Sequence, residues 1–157
     1  MKRNVVILIL TVGILTVWLG VPTFSKWRAD NLVDELCSKD GGIKIYETVM
    51  LPKERFNQWG QFNLPDEKHQ KLGDEYYRVW STVNIKGRNE ASDVGALAIY
   101  QHHILIRHAI DKKLLGEAIS YTRRGGDPIA PSHPSSHSCP EYSIDVELSK
   151  KIFLTAK

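Results

Sequence analysis

The chain has 157 residues, carries a formal net charge of +3, and is 42% hydrophobic and 25% charged. These are the proportions of a folded protein rather than a disordered one. Lys2 and Arg3 supply two of the three net positive charges, leaving +1 for the chain beyond its apolar start, too little for the basic stripe of a nucleic-acid binder or the polybasic cluster of a lipid reader.

Residues Val5 to Val21 form an almost unbroken apolar run behind Met1, Lys2 and Arg3. Crossing about 30 Å of hydrocarbon takes about 20 apolar residues. Val5 to Phe24 supplies that length with only Thr11, Thr16 and Thr23 as polar members, and threonine hydroxyls can bond back to the helix. A cleaved leader has a shorter apolar core, about 7 to 15 residues, and ends in small residues. Thr23, Phe24 and Ser25 fit a cleavage site imperfectly, while Trp18 and Trp27 suit an interfacial belt. The expectation is an anchor over residues 1–25 with residues 4–24 in the membrane; the alternative is secretion after cleavage near Ser25. Lys2 and Arg3 keep the amino terminus inside, so residues 26–157 are expected as one exported α+β domain.

Ala29, Leu32, Val33, Leu36 and Cys37 recur at helical spacing and predict an amphipathic helix that packs on its own domain, with Asp30, Asn31, Asp34 and Glu35 opposite. Gly41 and Gly42 end it. Ile43, Ile45 and Val49 then alternate with polar residues, predicting one half-buried strand that ends at Leu51 and Pro52. Phe56, Trp59 and Phe62 are expected in the core of a short helical stretch, and Pro65 to Leu72 as a second helical turn. From Glu75 the period is two, and aromatics on both faces predict a central strand. Lys86 to Ser92 suits a loop. A strand from about Ala96 to Ile110, a turn through Asp111, Lys112 and Lys113, and a return from Leu114 to Arg123 make a hairpin. The strands near 43, 75, 96 and 114 predict a small antiparallel meander of about four strands with flanking helices.

His102 and His103 point to opposite faces of that strand, and His102 and His108 lie about 20 Å apart along it, so shared metal ligation is not expected. Arg123 to Cys139, with Gly125, Gly126 and a proline-, serine- and histidine-rich run, is expected to be loop throughout. His133, His137 and Cys139 are spaced as zinc ligands could be, but a thiolate ligand cannot also be half of a bridge. Arg123 and Arg124 beside two glycines are candidates to hold a phosphate or carboxylate, against a plain turn with solvated arginines. In an exported chain Cys37 and Cys139 read as one disulfide, so no metal and no cofactor is assigned. Ile144, Leu148 and Ile152 predict a closing helix docked on the sheet, its acids early and lysines late.

Cys37-Ser38-Lys39-Asp40-Gly41-Gly42 with Tyr46 to Val49, then Leu115-Gly116-Glu117, Tyr121, Arg123, Gly125-Gly126-Asp127, His133-Pro134-Ser135 and Cys139-Pro140 resemble a family of small membrane-anchored or exported proteins of Gram-negative bacteria. The resemblance covers about a third of the chain. It implies an inner-membrane anchor with the body in the periplasm, and it transfers no activity and no catalytic residue. The functional expectation is a membrane-tethered periplasmic interaction or accessory domain whose partner is another envelope protein. The alternative is a metal-binding protein or hydrolase acting through residues 123–139.

Overall fold

The computed structural model describes residues 2–87, 96–127 and 133–156. The fold is α+β: one long amino-terminal helix, an antiparallel sheet of five strands, and a short helix on the opposite face. Most of the expected loop after Lys86, and Pro128 and Pro131, lie outside the described residues.

The expected anchor and the expected amphipathic helix behind it are one continuous element. Helix α1 runs Lys2–Asp40 without a break. By length and composition it can cross a bilayer, and none of its most apolar stretch is buried inside the protein. Pro22 lies within it, so the Trp18 carbonyl receives no helical hydrogen bond at the point where the apolar run ends. Past Pro22 the predicted stripe docks: Ala29 and Val33 are buried with Ile99 and Tyr121, and Leu32, Leu36 and Cys37 pack around them. Helix α1 stops at Gly41, where a side chain would collide with the carbonyl and sulfur of Cys37.

The strand expected across residues 43–51 is two strands in different sheets. β1 (Gly42–Ile45) joins the main sheet, whereas β2 (Val49–Leu51) pairs in parallel with β7 (Phe153–Thr155), a strand the sequence reading missed. Between them the amides of Tyr46 and Glu47 both donate to the Leu115 carbonyl, turning the chain off the sheet edge. Phe56 and Phe62 pack against the core as expected, but Trp59 is 73% exposed. A single turn at Glu67–His69 falls inside the predicted second helical turn.

β3 (Tyr76–Gly87), β4 (Leu97–His108) and β5 (Leu114–Gly125) form the meander, with the hairpin turn at the predicted Asp111–Lys113, where Lys112 takes a φ of 60°. The sheet order is β1-β5-β4-β3. β3 is therefore an edge strand, not a central one; the aromatics on its two faces mark partial cover, since Tyr77 is buried and Trp80 is 49% exposed. β5 holds the centre. Along one edge it pairs with β4, and along the other it pairs end to end with β1 and with β6 (Ser136–Cys139).

Two cores face away from each other across the sheet. Ile104, Ile106 and Ala118 lie beneath α2 (Ile144–Ile152), which buries Ile144, Leu148 and Ile152 as predicted, together with Leu115, Leu51 and Phe153. Ile99 and Tyr121 point the other way, under α1. Arg78 ties the pieces on the α2 side, its guanidinium lying 2.8 Å from Asp66 and 3.4 Å from Asp145.

Candidate functional site: the clasp between helix and sheet

Of the residues singled out between 123 and 139, Arg123, His137 and Cys139 come together, and they grip α1. Five contacts run in order along the helix: Lys26 to Asp127 at 3.1 Å, Asp30 to Arg123 at 2.6 Å, Asp34 to His137 at 2.9 Å, the Cys37–Cys139 disulfide, and Asp40 to the Tyr121 hydroxyl at 2.7 Å. Successive spacings of four, four, three and three residues keep all five on one side of a helix. Because the partners descend from 127 to 121 as the helix ascends from 26 to 40, α1 runs antiparallel to β5 and hence along the strands.

Arg123 is the centre of the clasp. It is 2% exposed, so the solvated-arginine reading fails, and the anion it holds is the chain's own Asp30. Its guanidinium also donates to the carbonyls of Gly125 and Ser135 and to the Ser135 hydroxyl, at 2.5, 3.0 and 2.9 Å. Asp127 accepts from the Ser135 amide and from Lys26. Burial alone would raise that carboxyl, but the Ser135 bonds and the Lys26 ammonium together bring it down to about 2. Burial, then the hydrogen bond to Asp40, pushes the Tyr121 hydroxyl up to about 12, so it stays a donor to Asp40 while accepting from Gln101.

The expected loop is thus partly strand. Arg123 and Arg124 belong to β5, and Ser136 to Cys139 form β6, paired Tyr121↔Cys139 through Arg124↔Ser136. Arg124 is exposed and takes no part in the clasp, and His133 is exposed three residues before β6. Cys139 is bridged and therefore not a thiolate, and no three His, Cys, Asp or Glu side chains converge on a metal position among the described residues. Sequence reasoning placed Asp30 and Asp34 on the outer helix face. Their contribution was signalled only by acids four residues apart that border the apolar stripe.

Two other groupings lie outside the clasp. On the α1 side Glu117 accepts from the Tyr46 hydroxyl at 2.6 Å and lies 2.9 Å from His103 Nε2; the Tyr46 bond, opposed by partial burial and aided by His103, holds its carboxyl below the usual range. On the other face Trp80 and Tyr100 flank His102, whose Nδ1 lies 3.0 Å from the Thr82 hydroxyl. Burial, then the Arg124 guanidinium, holds His102 below the ordinary imidazole value. A groove of about 650 Å³ runs between α1 and the strand ends, walled by Trp27, Arg28, Leu32, Glu35, Lys86 and Leu97.

No protein-family model, no curated protein and no solved structure matches the chain.

Proposed function

We propose that this chain is a membrane-tethered interaction domain of the periplasm, anchored in the inner membrane by α1 and holding its sheet in a set orientation above the bilayer. The observation that carries this reading is the continuity of α1: the apolar stretch and the docked stretch are one helix, and five side-chain contacts fasten that helix to β5, β6 and Asp127, two residues past the end of β5. A flexible tether would place a linker there. A rigid mount suits a surface that must meet a neighbour at a given height. The disulfide supports an oxidising compartment. The rival reading, metal binding or hydrolysis through residues 123–139, loses Arg123, His137 and Cys139 to the clasp, which supports the interaction reading over it.

Cysteine labelling tests the topology. A single cysteine placed at exposed Gln58, in a Cys37→Ser/Cys139→Ser background, is expected to react with a membrane-impermeant maleimide in spheroplasts. The full-length chain is expected to remain in the membrane fraction after alkaline carbonate. A soluble mature form beginning near Ser25 would refute the anchor, and labelling only after lysis would refute the periplasmic placement.

A further inference from the structure

We propose that the outer edge of β3, at Trp80 and Thr82, is a strand-addition site for an extended segment of a second envelope protein, with an acidic residue at the end lying against Lys86. The choice of partner rests on the tether proposed above; the open edge itself does not.

The edge follows from the hydrogen-bond parity of the sheet. Arg78 stands opposite Ile106 on β4, and its amide donates outward, 2.9 Å to the Pro65 carbonyl. In an antiparallel ladder every second residue presents both backbone groups on the same side, so those of Trp80 and Thr82 also point away from β4. Pro65 and Asp66 cover the edge at Arg78, and at Trp80 and Thr82 no described residue pairs with its backbone. Two donors and two acceptors are left for an incoming backbone.

Natural sheets guard such edges with lysine, proline, inward charges or early bulges. From Val79 to Ile85 this edge has no charged residue and no proline. Its one register shift falls between Asn84 and Lys86, beyond the open stretch. Instead the segment is built from strand formers, with Trp80, Val83 and Ile85 at 49, 55 and 43% exposure. Backbone groups in register with alternating apolar side chains are what strand addition uses, the former for affinity and the latter for selection.

A second copy of this chain is a poor occupant. Antiparallel pairing of β3 with itself needs a two-fold axis normal to the sheet, and that axis reverses everything that runs along the strands. Since α1 runs along them, the second anchor would point away from the bilayer holding the first. Parallel self-pairing fails differently: it sets an outward-bonding residue opposite one whose groups point inward, which a two-fold axis between like residues cannot do. A segment of another chain meets neither obstacle.

Charge gives its polarity. The uncharged stretch ends at exposed Lys86, and on the α1 side Arg28 shares the groove with Lys86, while Glu35 in that groove is paired with Lys39. An acidic residue in the added strand meets this basic end.

The test uses the full-length chain in micelles and a capped peptide of alternating threonine and valine with two glutamates at its amino end. Without peptide, the Trp80 and Thr82 amides are expected to exchange freely while those of β5 are protected. Saturating peptide is expected to slow both about tenfold or more. Thr82→Pro removes an outward amide and is expected to abolish binding. Lys86→Glu, at an exposed site that should leave folding untouched, is expected to weaken this peptide and favour one carrying lysines. Amides of Trp80 and Thr82 already protected in the free chain, equal binding by Thr82→Pro, or indifference to the charge exchange would each overturn the assignment. Such a failure would leave the anchor and its orientation standing, because the labelling experiment reads those independently.

Discussion

Replacing Arg123 with methionine is expected to be among the most damaging single changes available to this chain. The side chain is almost fully buried, and it satisfies Asp30, two backbone carbonyls and the Ser135 hydroxyl. Removing one partner of a buried ion pair costs about 3–5 kcal/mol, because the other charge is left without compensation. The Asp30 side chain keeps 28% of its exposure, so water recovers part of that; the Ser135 carbonyl keeps the Gly125 amide as a donor, while the Gly125 carbonyl left without the guanidinium adds about 1 kcal/mol or more. A net loss of about 4 kcal/mol follows, a large share of the roughly 5–15 kcal/mol that holds a domain folded. Urea unfolding of the full-length chain in micelles, followed by tryptophan emission, would measure it against Asp30→Asn and the double variant. The double variant is expected to lose at least about 2 kcal/mol less than the two single losses added together. Additive losses, or an Arg123→Met cost below about 1 kcal/mol, would show that the guanidinium is not the centre of the clasp.

Reducing the disulfide, or replacing both cysteines by serine, opens a closure of 102 residues and is expected to lower stability by about 4 kcal/mol on the chain-entropy model, read as a fall in the urea midpoint with a steeper slope as the unfolded chain expands. Asp127 gives a pH dependence: its folded carboxyl titrates near 2 and its unfolded one near 3.8, so its contribution is complete above about pH 4 and fades as pH falls toward 2. That contribution is about 2 kcal/mol, and comparing urea midpoints of Asp127→Asn and wild type between pH 5 and pH 2 should show the variant lacking this part of the slope. Gly116→Val is expected to cost about 1–3 kcal/mol by overpacking, since an added Cβ would lie 2.8 Å from Ile152 and 3.0 Å from the Lys44 carbonyl; thermal unfolding by circular dichroism would show it. Leu148→Ala, which empties a fully buried position under the sheet, is expected to cost about 2–5 kcal/mol by the same measurement.

What the residues disclose is the environment of a side chain, and what they hide is the identity of its neighbour. The stripe from Ala29 to Cys37, the triad Ile144, Leu148 and Ile152, and the hairpin around Asp111 were legible because each is a local pattern whose buried face needs no knowledge of what covers it. β3 misled for the same reason. Alternation reports half-burial, and it cannot say whether a second strand lies beyond. β6 was invisible, because Ser136 to Cys139 has weak strand preference and is drawn into pairing by β5 and by the bridge at Cys139. Arg123 was misjudged because the acid that neutralises it lies 93 positions earlier, on a helix whose docking side can be inferred but whose landing place cannot. The cysteine pair was the exception, a long-range contact that compartment and parity alone announce.

With α1 seated in a bilayer as proposed, its unbroken passage from the apolar stretch onto the sheet would make the protein a lever. A strand of twelve residues reaches about 40 Å, so a tilt of about 10° in the helix swings the far end of the sheet sideways by about 7 Å, less whatever the missing hydrogen bond at Pro22 lets the helix absorb. Thinner or thicker lipid changes the angle at which such a span sits. Local bilayer thickness would then dictate where the distal turn points, and a protein mounted this way converts a property of the lipid into a direction.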